Sequence, residues 1–218
     1  MNIIFDVDGT LVQSYRLDTA CFIAAVRDVL GEVRVRPDWN DYVHVTDAGI
    51  LREICADNSL PQGSAVEVRT CFAEHVTAHL SAHPEDCQEL PGAGAMLGRL
   101  AAQAGVGIGF ATGGWAVTAA AKLAHAGIAF DRAALFSSDI AHERIEIMRA
   151  CLAGIGGPGP VVYVGDGEWD MAATGALGWQ FIGIGPRVRG KCERWIADFH
   201  GPAFGGHLSD LSGGALSL

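Results

Sequence analysis

Five short apolar runs, separated by longer alanine-rich stretches, constrain the fold of this chain more than any other feature. They lie at residues 3–5, 105–111, 133–136, 160–164 and 179–184. Such runs are typical of buried strands, and the stretches between them have helical spacing, for example at Met96, Leu97 and Leu100. The alternation predicts an α/β fold with a Rossmann-like, doubly wound parallel sheet, which binds ligands beyond the carboxyl ends of its strands.

The strand pattern is interrupted between residues 15 and 90. Helical patterns replace it at residues 17–30, 47–57 and 64–81. We therefore expect an all-helical cap domain at 15–90, inserted into an α/β core formed by 1–14 and 91–218. Such a cap would act as a lid that excludes water from the sheet edge. The alternative is that these helices only cover the sheet.

Composition narrows the class of partner. The 218 residues include 15 basic and 25 acidic side chains, a formal net charge of −10, so we expect neither nucleic acid nor an anionic membrane as a partner. Six cysteines without a C-x-x-C pair, and no apolar stretch near the roughly 20 residues of a membrane span, predict a soluble cytoplasmic protein. We expect a monomer or homodimer that binds a small molecule.

The first apolar run delivers two carboxylates, Asp6 and Asp8, to the end of a predicted strand. Residues two apart on an extended chain project to the same side, so both acids should face one spot. One aspartate can attack phosphorus while a second acid handles the proton of the leaving oxygen. The alternative is an Asx-turn in which Asp8 only caps the bend at Gly9.

A hydroxyl and two glycines follow the second run, at Thr112-Gly113-Gly114. Small residues in a strand-to-helix turn expose backbone N–H groups and a helix N-terminus, which suit a phosphate oxygen. Thr112 and the backbone of Gly113 are therefore candidate phosphate ligands. The alternative is an ordinary turn in which Thr112 or Gly114 lies near a helix N-cap.

Two further acids, Asp166 and Asp170, follow the fourth run. An oxygen-rich site at the same sheet edge as Asp6 and Asp8 suits Mg²⁺, with Asp166 as ligand and Asp170 as its supporting neighbour. Helix capping is the alternative for either residue.

A candidate cation for a transferring phosphoryl group follows the third run, at Arg144. The alternative is that Arg144 is a solvated arginine on a helix surface.

These four groups of polar residues, taken in chain order, resemble the motifs of the haloacid dehalogenase superfamily of aspartate-nucleophile hydrolases. FDVDGTLVQS is similar to the first motif of the superfamily, FATGG to the second and VVYVGDGEWD to the fourth. The likeness is greatest to the phosphatase branch with a helical, C1-type cap, including phosphoglycolate phosphatases. The segment that aligns with the third motif, HERIEIM, departs from the superfamily, which usually has a lysine there. Arg144 is the best match for that lysine, with His142 a weaker one.

The resemblance implies a role for each aligned residue. Asp6 would be the nucleophile and a Mg²⁺ ligand, and Asp8 the general acid/base with its backbone carbonyl on the metal. Thr112 would bind phosphate, Asp166 the metal, and Asp170 would support the site. Because halide leaving groups need no proton, Asp8 favours phosphate chemistry over dehalogenation.

The candidate for substrate recognition is the polar loop at residues 40–49, where two helical stretches of the cap meet. Thr46 and Asp47 would reach the substrate, or one of them would cap the following helix.

Together the motifs predict a Mg²⁺-dependent phosphatase that hydrolyses a small phosphate ester through an aspartyl-phosphate. The alternatives are a phosphomutase of the same superfamily and a phosphate-sensing protein with a degenerate site.

Overall fold

The fold is built on parallel strands, in a computed structural model that describes residues 1–214. In chain order the strands are β1 (Asn2–Phe5), β2 (Val12–Gln13), β3 (Gln88–Glu89), β4 (Gly107–Ala111), β5 (Leu135–Phe136), β6 (Val161–Gly165), β7 (Gln180–Ile184) and β8 (Trp195–Ile196). Six of them form one sheet in the order β5-β4-β1-β6-β7-β8, with every pair parallel. The predicted doubly wound α/β fold is confirmed.

The chain forms eight α-helices within residues 1–214. They are α1 (Tyr15–Leu30), α2 (Asp47–Asp57), α3 (Ala65–Ala82), α4 (Ala93–Ala101), α5 (Ala116–His125), α6 (Arg144–Ile155), α7 (Glu168–Leu177) and α8 (Ala203–Leu211). None of these helices is both long enough and apolar enough to cross a membrane.

Apolar side chains pack on both faces of β1, because successive residues of a strand point to opposite sides. Ile3 and Phe5 belong to the larger core cluster, and Ile4 packs with Tyr163 on the other face. All four residues of the strand are buried, as expected for a central strand of a parallel sheet. The neighbouring strands hold β1 in register, with Phe5 opposite both Phe110 and Val164.

The segment that leaves the core after β1 consists of α1, α2 and α3, as the sequence predicts. Phe22 of α1 meets Phe72 of α3 edge-to-face, with 5.6 Å between the ring centroids. The chain leaves the core through β2 and returns through β3, and these strands pair antiparallel, with Val12 opposite Glu89. That residues 15–90 form a separate domain stays a prediction.

The carboxyl-terminal region differs from the sequence expectation. The glycines from Gly201 onward are typical of a loop, whereas the structure has helix α8 there. The reason is burial: Phe204 and Leu208, one helical turn apart, are both buried, and Phe204 packs on Phe199 at 5.2 Å between ring centroids. This burial outweighs the weak helix propensity of glycine.

Candidate active site

The nucleophile candidate, Asp6, follows the last residue of β1. Its backbone N–H donates to the carbonyl of Val164 (2.9 Å), so the chain is still held beside β6 where the side chain leaves the sheet. Burial and then the negative charge of Asp170 raise the pKa of Asp6 well above its usual value, whereas Arg144 lowers it. The site must therefore supply positive charge if Asp6 is to be ionised.

Asp8 lies in a different environment. Its Oδ1 accepts from the hydroxyl of Ser14 and pairs with the ammonium of Lys122 (2.5 Å). No backbone N–H of its own turn donates to this carboxylate among the hydrogen bonds of residues 1–214, so the Asx-turn alternative does not describe Asp8. The two acids of one short motif are thus held by separate cations.

Arg144 begins α6 and turns inward, with only 11% of its side chain exposed. Its Nη1 lies 2.8 Å from Asp170 and 3.3 Å from Asp6, and its Nη2 donates to the carbonyl of Val45 (3.1 Å). The solvated-surface alternative is therefore wrong. The planar guanidinium therefore contacts two acids, Asp6 and Asp170, and also the polar loop before α2.

Asp166 and Asp170 complete the acid cluster. Oxygens of Asp6, Asp166 and Asp170 lie within 4.8 Å of one another. Asp170 accepts from the backbone N–H of Gly167 (3.0 Å), so it also caps α7, and it is paired with Arg144. Asp166 instead has a buried Oδ1 without a hydrogen-bond partner among residues 1–214, and burial raises its pKa to about 7.

This cluster fits a divalent cation. Buried carboxylates with an unsatisfied oxygen are costly unless a proton or a metal balances them. An all-oxygen donor set suits a hard cation such as Mg²⁺. The carboxylate of Asp8 lies outside the cluster, because it is paired with Lys122.

The loop after β4 carries the predicted phosphate ligands. Thr112 is buried, and its hydroxyl accepts from the backbone N–H of Gly114 (3.1 Å). A Cβ at Gly113 would overlap with Nη2 of Arg144 and lie 2.9 Å from the carbonyl of Val45. Only glycine lets the arginine and this loop approach so closely.

Thr46 and Asp47 join the start of α2 to that loop. Thr46 is the N-cap of α2, because its hydroxyl accepts from the backbone N–H of Gly49 (3.1 Å), as the capping alternative predicts. The same hydroxyl donates to the carbonyl of His142 (2.7 Å). The N–H of Asp47 donates to the carbonyl of Gly113 (2.8 Å), and its carboxylate accepts from the N–H of Trp115 (2.9 Å).

One cavity of about 80 Å³ brings most of the predicted residues together. Its lining includes Asp6, Asp8, Thr46, Asp47, Thr112, Gly113 and Arg144. Asp166 and Asp170 are linked to it through Asp6 and Arg144. Residues of the sheet edge and of the loop before α2 thus line one cavity.

Sequence reasoning missed two charged residues of this site, Lys122 and Asp18. The side chain of Lys122 is 0% exposed, and its ammonium pairs with Asp18 of α1 as well as with Asp8. A signal was present, because Lys122 lies three and four residues after Ala119 and Thr118, on the buried face of α5. A lysine at a core position needs buried acids as partners.

Sequence reasoning also missed Arg187, which lies in the loop after β7. Its guanidinium stacks on Tyr15 at 3.7 Å from the ring centroid and lies 3.4 Å from Oδ2 of Asp166. Tyr15 and Arg187 both line the cavity. The sequence of this loop gives no local signal of such a role.

Solved structures of the same fold support this description. A hydrolase from Pseudomonas syringae matches with a TM-score of 0.73 and 19% identity, covering 97% of this chain and 99% of that one. CbbY from Rhodobacter sphaeroides, in complex with phosphate, matches with a TM-score of 0.69 and 20% identity, covering 92% and 95%. A predicted phosphoglycolate phosphatase from Haemophilus somnus matches with a TM-score of 0.58 and 18% identity, covering 90% and 93%.

At these identities the structural matches establish the fold alone. No curated protein matches the chain in sequence. The family model of haloacid dehalogenase-like hydrolases matches residues 1–178, a range that includes the acid cluster, the loop after β4 and Arg144. The chain therefore belongs to the haloacid dehalogenase-like hydrolases.

Proposed function

We propose that this hydrolase is a Mg²⁺-dependent phosphatase that acts on a small phosphorylated metabolite through an aspartyl-phosphate. The observation that carries the proposal is the separation of Asp6 and Asp8: Asp6 lies in the acid cluster beside Arg144, and Asp8 is held by Lys122. A nucleophile and a proton carrier need such separate environments. The phosphate complex of the related CbbY fold supports a phosphate ligand.

The proposed reaction has two steps. An oxygen of Asp6 attacks phosphorus in line, the bond to the alcohol oxygen breaks, and Asp8 gives that oxygen its proton. Asp8 then takes a proton from water, which attacks the aspartyl-phosphate and releases inorganic phosphate and Asp6. Thr112, the backbone N–H of Gly113 and Arg144 stabilise the charge on the equatorial oxygens.

Asp6 and Asp166 would hold the Mg²⁺, with the backbone carbonyl of Asp8. The buried unsatisfied oxygen of Asp166 supports this assignment, and Asp170 supports the site while paired with Arg144. When bound, Mg²⁺ neutralises negative charge on the phosphoryl group.

Removing the metal should abolish turnover. We expect EDTA-treated protein to release no phosphate from p-nitrophenyl phosphate above background, because the repulsion among the acids at Asp6 is then unbalanced. Added Mg²⁺ should restore the rate, which a phosphate-release assay measures. Unchanged turnover after EDTA and dialysis would contradict metal dependence, and absence of turnover with Mg²⁺ would favour a phosphate-binding protein.

We also propose residues 15–90 as a cap that closes the cavity. Contacts across the cavity support it: Asp47 with Gly113 and Trp115, and Thr46 with His142. Arg144 adds a contact to the carbonyl of Val45. Opening would break these contacts and admit the substrate.

Gly9→Ala should inactivate the enzyme. Gly9 has φ +80°, which disfavours alanine by about 1–2 kcal/mol, and a Cβ there would overlap with Oδ2 of Asp166. Gly31 is the matched control, because its φ is +78° and a Cβ there meets nothing within 4 Å. Urea unfolding should show a loss of stability in both variants, whereas turnover of p-nitrophenyl phosphate should fall only in Gly9→Ala. Full activity in Gly9→Ala would show that Asp166 need not be held in place.

A further inference from the structure

We propose that Arg187 binds a second oxyanion of the substrate, a carboxylate or a phosphate that the alcohol part of the ester carries. The inference rests on the proposed phosphatase function and names a class of substrate for it. Arg187 lies in the loop after β7, and it lines the cavity that contains Asp6 and Asp8. The family model ends at residue 178 and so does not cover this side chain.

The guanidinium of Arg187 has no hydrogen-bond partner within residues 1–214. Its Nη1 is buried and unsatisfied, and it lies 3.4 Å from Oδ2 of Asp166 without the geometry of a hydrogen bond. A buried donor without an acceptor costs free energy, and the cost is larger when the donor is charged. An oxyanion in the cavity would remove that cost.

Asp166 does not provide the missing acceptor. Under the proposed function its carboxylate holds Mg²⁺, and its own buried Oδ1 is also unsatisfied. The two neighbouring side chains thus leave each other's polar atoms unpaired. Since buried charges need partners of opposite sign, Asp166 requires a cation and Arg187 requires an anion.

Two aromatic rings hold the guanidinium in place. It stacks on Tyr15 at 3.7 Å from the ring centroid, and it lies 5.5 Å from the ring centroid of Trp169. Both rings line the same cavity. Stacking covers a face of the guanidinium, whereas its N–H groups lie in the plane and can donate to both oxygens of an oxyanion. Arg187 is therefore preorganised for a bidentate contact.

Arg187 lies on the side of the cavity where we expect the leaving group. Tyr15, on which it stacks, directly follows Ser14, whose hydroxyl donates to the proposed general acid, Asp8. A general acid must face the alcohol oxygen that it protonates. A substituent of the alcohol can therefore reach Tyr15 and Arg187.

The transferring phosphoryl group has a different arginine. Arg144 lies against the loop after β4, since a Cβ at Gly113 would overlap with its Nη2. No hydrogen bond, ion pair or ring contact joins Arg187 to that loop within residues 1–214. The two arginines are thus placed for two separate oxyanions.

The test compares three esters that differ at the end of the alcohol. Phosphoglycolate carries a carboxylate there, ethane-1,2-diol bisphosphate a second phosphate, and 2-hydroxyethyl phosphate a neutral hydroxyl. We expect kcat/KM for at least one oxyanion ester to exceed that for the hydroxyl ester about tenfold, because the hydroxyl ester leaves Arg187 unpaired. The faster oxyanion ester identifies the group as a carboxylate or a phosphate. Equal or slower turnover of both oxyanion esters overturns the proposal.

Variants show whether Arg187 causes the preference. Arg187→Gln should lower the kcat/KM ratio of the faster oxyanion ester to the hydroxyl ester about tenfold. Arg187→Lys should lower it less, because lysine keeps the charge but not the planar fork. A general effect through Asp166 changes both esters alike and leaves the ratio unchanged. An unchanged ratio in the folded Arg187→Gln protein overturns the proposal.

Arg189→Gln is the matched control. Arg189 belongs to the same loop and also lies over an aromatic ring, at 5.1 Å from the centroid of Trp195. It is not among the described residues that line the cavity. This variant should therefore keep the wild-type ratio, and a loss as large as in Arg187→Gln would contradict a specific role for Arg187.

A p-nitrophenyl phosphate assay separates this inference from the proposed function. If the enzyme hydrolyses that ester with Mg²⁺ but prefers neither oxyanion ester, the role of Arg187 is wrong and the phosphatase stands. If it hydrolyses none of the four esters, the proposed function fails and this inference fails with it.

Discussion

Asp6→Asn should remove turnover of p-nitrophenyl phosphate while leaving the protein folded. The amide of asparagine does not attack phosphorus, so the aspartyl-phosphate cannot form, and we expect a loss of about 10⁴-fold or more. A phosphate-release assay at saturating Mg²⁺ measures the effect. Asp28→Asn, a change of the same type at an exposed position, should retain full activity.

The same substitution should not lower the free energy of unfolding. Burial and Asp170 raise the pKa of Asp6, so its ionised form is costly in the folded state at neutral pH. Asparagine removes that cost, and Arg144 keeps Asp170 as a partner at 2.8 Å. Urea unfolding at pH 7 checks this. Turnover that persists in a folded Asp6→Asn protein would exclude Asp6 as nucleophile.

Lys122→Met should destabilise the fold by about 3–5 kcal/mol at pH 7. Methionine fills a similar volume, but Asp8 and Asp18 then lose the buried cation that they share. Activity should fall as well, because Asp8 loses the partner that orients it. Lys191→Met is the control: that lysine pairs with Glu168 at the surface and should change stability by less than about 0.5 kcal/mol.

The loss in Lys122→Met should grow with pH. In the wild type the pKa of Asp18 is raised to about 6 by burial, although Lys122 lowers it. Without the lysine it rises further, and a group with a raised folded-state pKa loses stability as pH increases toward that pKa. Urea unfolding should therefore show a smaller difference from wild type at pH 5 than at pH 8. If the difference from wild type is the same at pH 5 and at pH 8, the ionisation of Asp18 does not cause the loss of stability.

Residues at strand ends were predictable because their signal is local. Asp6, Thr112 and Asp166 each follow an apolar run, and the parallel order of the sheet brings them to one edge. Arg144 was placed by its position near the start of α6. Each of these inferences needed only the fold class and a few neighbouring residues.

Contacts between residues that are far apart in the sequence were not predictable, even where burial of one partner was. Asp18 and Lys122 are 104 positions apart, and the sequence around either residue does not indicate that they form an ion pair. Thr46 illustrates a related difficulty, because one hydroxyl caps α2 and also donates to His142. The roles of the site residues, the monomeric or dimeric state and the cytoplasmic location stay predictions.

Arg144 has a thermodynamic consequence that a lysine at its position would lack. A lysine has one nitrogen, whereas this guanidinium contacts Asp6 and Asp170 through Nη1 and the carbonyl of Val45 through Nη2. Phosphorylation of Asp6 would change the charge that Nη1 faces and so alter how firmly the loop before α2 is held. By reciprocity, seating that loop must bias the stability of the phosphorylated aspartate by the same free energy.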